Sequence, residues 1–224
     1  MSYADWKGTS WPGLCREAQI WNSPGFSEFL EAERRVSEHS AHSSARYRNT
    51  KYFPGTLQHR HYIEETCRRS SNMDKVLQTS HSMLRQTRRI LLQQAGVRQS
   101  FLVDEIALTY LPGQPEIIAE QLYATIEILK KDRDKGKASK LDFRVVLQDR
   151  VSKLDNLPYG DTFALFQTGD EIVGFEDHSL SYEINRFEGP RLADLQESWS
   201  QIGNIALDRA ESLDFMRETL SSFR

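Results

Sequence analysis

Apolar positions recur along this chain with two periods, and the switch from one to the other marks its elements. Phe101-Leu102-Val103, followed by Asp104-Glu105 and Ile106-Ala107-Leu108, reads as a strand. Leu111-Pro112-Gly113-Gln114-Pro115 is a turn signal. Ile117, Ile118, Gln121, Leu122, Thr125, Ile128 and Leu129 then recur at helical spacing, and Pro115 suits a first helical turn. The pattern dissolves into a Lys-rich run over residues 130–140. Phe143-Arg144-Val145-Val146-Leu147 reads as the next strand. Strand, helix and strand over this length make a βαβ unit, whose crossover is right-handed almost without exception. Sites in such sheets gather beyond the carboxyl ends of the strands. Asp104-Glu105 and Gln148-Asp149-Arg150 lie there.

The flanking pattern is helical before this unit and mixed after it. Ser27 is placed as the N-cap of a helix that fades at 37–44. Tyr52-Phe53-Pro54-Gly55 is a turn, and helices are expected over 57–69 and 73–94 with a break at 70–72. Strands are expected at 162–167 and 171–176, joined through Thr168-Gly169-Asp170 as a hairpin. Helices follow at 192–207 and 210–220. The expected fold is α+β. A small mixed sheet with one βαβ unit and a hairpin packs against an N-terminal helical half and a C-terminal helix. The expected organisation is an arm, 1–26, and one domain, 27–224, with a helical half 27–97, a sheet half 98–191 and C-terminal helices 192–220. The arm holds Trp6, Trp11 and Trp21, which would be wasted in solvent, so it is expected to pack on its own body or on a partner.

Composition narrows the class. The chain has 224 residues, 38% hydrophobic and 27% charged, with a formal net charge of −3. That fits a soluble protein with one good core. No apolar run has the length of a membrane span, and the N-terminus lacks signal-peptide order, so a cytoplasmic location is expected. Cys15 and Cys67 show no metal-ligand spacing and are read as reduced. Basic runs without interleaved aromatics argue against a nucleic-acid groove. A Ser/His/Asp order, a phosphate-binding Walker loop and zinc spacing are all missing, and no cofactor or metal is expected.

The residues left to carry chemistry are few. Asp104 and Glu105 are adjacent, so on a strand one faces the core or a cleft and the other solvent. Glu176 sits beside Phe175 on a strand, with Asp177 and His178 along the same edge. Gln58 and Tyr62 are one helical turn apart and can face a ligand together. His59 and His61 are two apart, which puts them on different faces of a helix and argues against a metal pair. Arg85 and Arg89, with Arg88 beside them, share a helix; four apart, they suit a sulfate, a carboxylate or an acidic partner. The Lys-rich run suits steering of an acidic protein. Each set also has a plain structural counterpart: a cap, a packing contact or a solvated face.

The order of several short blocks adds a resemblance. Tyr47…Phe53-Pro54-Gly55-Thr56-Leu57-Gln58…Tyr62, Arg85-Gln86…Leu91 and Val103-Asp104-Glu105-Ile106-Ala107-Leu108 come first. Gly113-Gln114-Pro115-Glu116…Glu120-Gln121-Leu122, Val145-Val146-Leu147-Gln148 and Phe163-Ala164-Leu165-Phe166 follow. Val173-Gly174-Phe175-Glu176 and Ala206-Leu207…Glu211-Ser212-Leu213 close the series. Together they resemble the domain of unknown function that follows an Xre-type helix-turn-helix in actinobacterial antitoxin-like regulators. About thirty residues precede the match, fewer than a helix-turn-helix needs. The resemblance therefore implies a partner-binding module acting with a small companion protein, without DNA.

The chain also looks like the large subunit of the two-protein aziridine-forming enzymes of azinomycin- and vazabitide-type pathways, in size and paired architecture; no catalytic motif carries this likeness. It implies ring closure by an amine displacing a sulfate, without a cofactor, on a substrate borne by an acidic amino-group carrier protein. Such chemistry needs a carboxylate near the amine and a cation near the sulfate. Glu105, Asp104 and Glu176 are the candidates for the first. Arg85 and Arg89 are the candidates for the second, with Gln58, Tyr62 and His178 as substrate contacts.

Overall fold

The computed structural model describes residues 24–69, 75–109, 114–133, 139–154, 162–178 and 183–223. Its sheet strands are β1 (Ser43–Asn49), β2 (Arg98–Asp104), β3 (Leu141–Val146), β4 (Phe163–Thr168), β5 (Glu171–His178) and β6 (Glu183–Phe187). They form one mixed sheet in the order β3-β2-β1-β4-β5-β6. β1, β2 and β3 are mutually parallel, and β4, β5 and β6 continue as antiparallel neighbours. The helices are α1 (Pro24–Glu38), α2 (Arg60–Arg69), α3 (Lys75–Ala95), α4 (Glu105–Thr109), α5 (Pro115–Arg133), α6 (Gln148–Val151), α7 (Gly189–Ile205) and α8 (Arg209–Ser221). This is the expected α+β class, with the βαβ unit at β2–α5–β3 and the hairpin at β4–β5.

Alternation along the strands divides the core between two faces. On one face, Ala45, Tyr47, Phe101, Val103, Phe143, Val145, Phe166 and Phe175 join Phe29, Leu30 and Val36 of α1 and Ile118, Leu122 and Ile126 of α5 in the main cluster. Tyr47 stacks on Phe101 at 5.2 Å between ring centroids, and Phe29 meets Phe166 edge-on at 5.1 Å. On the other face α7 supplies the buried helical side of two small clusters. Leu102 and Val146 pack with Ile202 and, just past the helix end, Ala206, while Phe163 and Leu165 pack with Leu195.

The edge strand β3 is closed by the α7–α8 junction. Ser212 Oγ accepts the Val145 N–H at 2.8 Å, and Leu207 N–H donates to the Val145 carbonyl at 2.8 Å. Arg144 donates to the carbonyls of Leu207 and Ala206. Asp208 and Glu211 form a capping box that starts α8. Gly169 turns the β4–β5 hairpin at φ +59°, a conformation that favours glycine.

Several boundaries differ from the expectations. β1 lies inside the stretch expected to be helical, and β6 was not expected. Ser43–Asn49 reads as polar because it carries two arginines, yet Ala45 and Tyr47 alternate into the core. Ser27 is not a cap, because α1 starts at Pro24. The helix expected from Leu57 starts at Arg60, since Leu57 N–H closes a turn onto the Pro54 carbonyl. Glu105 is not on the strand: it is the first residue of α4. α5 runs on to Arg133, through the first residues of the Lys-rich run. The tryptophans of the arm, Cys15, the break at 70–72 and the centre of the Lys-rich run lie outside the described residues. No described helix is long and apolar enough to cross a membrane.

Candidate functional site

Two carboxylate–arginine pairs, the first buried and the second with only its carboxylate buried, lie on the α7 face, at the carboxyl ends of β1, β2 and β5. In the sheet register Arg48 stands opposite Leu102 on one side and Phe163 on the other, and Phe163 stands opposite Glu176. Residues opposite one another share a face, and Asp104 is two beyond Leu102 on that same face. The row across the sheet is therefore Asp104, Arg48, Phe163 and Glu176. Strand spacing puts Arg48 and Glu176 about 10 Å apart at their backbones.

The pairs are closely held. Arg48 Nη2 donates to Asp104 Oδ1 at 2.5 Å, with side-chain exposures of 1% and 10%. Arg48 Nη1 donates to the carbonyls of Asn49 and Leu102, while its buried Nε has no hydrogen-bond partner. Burial pushes the Asp104 carboxyl above its usual range, and the Arg48 charge pulls it part of the way back. Glu176 is buried, and Arg191, from the first turn of α7, donates to its Oε1 at 3.1 Å. Arg191 also lies over the Phe187 ring at 5.3 Å and is the member most open to solvent. Two carboxylate–arginine pairs thus flank Phe163 on one face, the Arg48–Asp104 pair out of water and in low dielectric and Arg191 reaching toward solvent. Within this set Arg191 is the cation open to solvent, and Glu176 is the carboxylate it holds.

Glu105 is next to this row in sequence and opens elsewhere. With Ile106, Thr109, Gln148 and Phe215 it lines a cavity of about 370 Å³. Its Oε1 accepts the Gln148 N–H at 3.0 Å, tying α4 to the start of α6. Asp104 and Glu105 thus part company, one inward and one to a cleft, at the point where the strand becomes a helix.

The remaining candidates are apart from these. Gln58 and Tyr62 are buried in structural contacts. Gln58 Nε2 donates to the Phe53 carbonyl at 2.7 Å, and the Phe53 N–H donates to Tyr62 Oη at 3.3 Å. Arg85 Nη1 donates to Gln58 Oε1 at 2.6 Å. This network pins the Pro54-Gly55 turn to α3. Arg88, between Arg85 and Arg89 in sequence, carries a buried ion pair, a two-pronged contact of 2.6 Å and 2.6 Å with Glu33. Arg89 is half-buried on α3. The backbone of His178 ends β5 opposite Glu183, and its side chain lies outside the described residues. His59 and His61, expected on different helix faces, meet edge-on with ring centroids 5.6 Å apart. The expectation failed because α2 starts at Arg60, leaving His59 outside the helix.

Arg48 and Arg191 are the members that sequence reading missed. The one signal for Arg48 was the period of 2 set by Ala45 and Tyr47. Arg191 is ordinary in sequence, and only packing of α7 on β5 brings it to Glu176. Gly174 keeps that contact close, since a Cβ at this position would lie 3.0 Å from Leu192 Cδ1 and from Leu195 Cδ1 and would press both side chains aside.

No curated protein and no solved structure matches the chain. Residues 26–218 match the family described as the domain of unknown function DUF5753. The match covers the sheet, the carboxylate–arginine row, α7 and most of α8, and the chain belongs to the DUF5753 family.

Proposed function

We propose that this chain is the large subunit of a two-protein biosynthetic enzyme of the cytoplasm that closes an aziridine ring by intramolecular displacement of sulfate. The observation that supports this reading is the row of two carboxylate–arginine pairs over one sheet face, one buried and one reaching solvent through Arg191, at the carboxyl ends of the strands. Glu176 takes a proton from the substrate ammonium. The freed nitrogen lone pair attacks the neighbouring carbon, the bond from that carbon to the sulfate oxygen breaks, and sulfate leaves with the electron pair. Arg191 meets the leaving sulfate. The Asp104–Arg48 pair fixes the field behind it. No electron transfer is involved, and the chemistry asks for no cofactor. Alignment of amine and sulfate contributes up to about 7–11 kcal/mol of the barrier in the best intramolecular cases. The substrate is an amino-acid intermediate borne by an acidic amino-group carrier protein, and a small companion protein completes the enzyme.

A second reading follows from the cavity beside α4. Ile106 is 45% exposed there, on a wall shared with Phe215. An exposed isoleucine over an apolar hollow also suits an antitoxin-like module that holds a small partner without catalysis.

One experiment separates them. The chain is co-purified with its companion and given the sulfated amino substrate on its carrier, and the product is weighed by mass spectrometry. Loss of the sulfate mass by the complex, abolished by Glu176→Gln and reduced by Arg191→Gln, supports the enzyme. A stable complex that leaves the substrate unchanged overturns it and favours the partner-binding module.

A further inference from the structure

His59, His61 and Glu120 converge at the contact between α2 and α5. His61 Nδ1 lies 2.7 Å from Glu120 Oε2, and His59 Nδ1 lies 3.3 Å from Glu120 Oε1. One ligand atom from each of the three lies within 4.8 Å of the others. His59 Nδ1 is shielded from solvent and makes no hydrogen bond, although the carboxylate is close. The backbone under the cluster is fixed. The His59 N–H donates to Gln121 Oε1 at 2.6 Å, and Gln121 Nε2 donates to the Leu57 carbonyl at 3.0 Å and to Thr125 Oγ1 at 2.9 Å. Gln121 is fully buried and adjoins Glu120. The residue that carries the carboxylate and the loop that carries His59 are thus clamped together by the core. Only His61 and the carboxylate tip need to adjust.

We propose that His59, His61 and Glu120 form a binding site for a divalent transition-metal ion. Two imidazoles and one carboxylate suit zinc, cobalt, nickel or copper rather than magnesium or calcium, which take oxygen ligands. Donor atoms sharing a tetrahedral ion at bond lengths of about 2.0–2.1 Å stand about 3.4 Å apart, so the three need to shift by roughly an ångström or less. The carboxylate already lies between both rings, and the ion takes a position among the three donor atoms. Three protein ligands leave a position open to water or to a ligand. The site is independent of the carboxylate–arginine row and stands or falls without it.

The test uses the untagged full chain and cobalt(II) alone. Equilibrium dialysis is expected to give one bound ion per chain, with visible absorption bands of nitrogen and oxygen ligation. Saturating ion is expected to raise Tm by about 5–10 °C at a hundredfold excess over Kd. His61→Ala and Glu120→Gln, both at exposed side chains, are expected to keep the native circular dichroism and weaken binding by more than about tenfold. The proposal is overturned if binding is unchanged in both variants, if no ion binds at millimolar cobalt, or if the spectrum shows the intense near-ultraviolet bands of thiolate ligation.

Discussion

Arg48 of β1 reaches diagonally across the parallel pair to Asp104 at the end of β2, closing to 2.5 Å between Nη2 and Oδ1. Both side chains are taken out of water at the position where the strand gives way to α4. Attraction between two such charges only just repays their desolvation. The pair is thus a poor device for stability, and its place at the carboxyl ends of the strands is where a function would use it.

Removing one partner is expected to cost far more than removing both. Arg48→Met leaves the Asp104 carboxyl buried without its cation and is expected to lower stability by about 3–5 kcal/mol. Arg48→Met combined with Asp104→Leu is expected to recover most of that loss. Urea denaturation of the two single variants and the double variant completes the cycle. A double variant as unstable as the sum of the singles would contradict the pairing.

Glu33 is a second buried hub, joined by Arg88 through two contacts of 2.6 Å and by the Tyr47 hydroxyl at 3.0 Å. Burial beside Glu33 also holds the Tyr47 phenol well above its ordinary range. Tyr47→Phe removes one neutral donor and is expected to cost about 1 kcal/mol. Glu33→Gln removes the buried carboxylate charge that faces Arg88 and is expected to cost about 3–5 kcal/mol. The order of the two midpoints in urea checks the hub; a costlier Tyr47→Phe would refute it.

Acid should act through Glu65. Bonds from Arg68 and Arg69 hold its carboxyl at about 2, below an ordinary 4.5. A lowered folded-state value means stability that is present above the unfolded value and lost as pH falls through the folded one. Wild type is therefore expected to exceed Glu65→Gln in stability at pH 6 and to converge with it as the pH falls from about 4.5 toward 2. Thermal melts across that range measure the gap. A gap that does not narrow would show that the arginines do not act on Glu65.

Gly174 sets how closely α7 approaches β5, with Leu192 and Leu195 each 3.0 Å from the position of an added Cβ. Gly174→Val is expected to cost about 1–3 kcal/mol by overpacking. Adding Leu192→Ala should return part of it. Because Arg191 rides on the same turn of α7, Gly174→Val is also expected to loosen the Arg191–Glu176 contact, which nuclear magnetic resonance of the guanidinium protons would report.

Much of the βαβ unit and the hairpin was legible because local pattern and final environment agree there. Phe101 to Val103 and Phe143 to Val146 are apolar runs, and Gly169-Asp170 is a turn by its own chemistry. β1 was not legible, because its two arginines hide an alternation whose buried side, Ala45 and Tyr47, is covered by α1. Glu176, Asp104 and Glu105 stood out as acidic residues on or just after strands, but that Asp104 and Glu176 share one row while Glu105 faces a separate cleft was decided by the register and by the start of α4.

The sequence by itself determined which segments are periodic, where they turn, and that carboxylates end the central strands. The tertiary structure decided the pairing. Arg48 meets Asp104, Arg191 meets Glu176, and His59 meets His61 and Glu120, because register, helix docking and the start of α2 at Arg60 place them there. The physical reason is that periodicity records which side of an element is apolar, a local property. The partner of a charge depends on what the fold brings within a few ångströms, and that is fixed only when the elements pack.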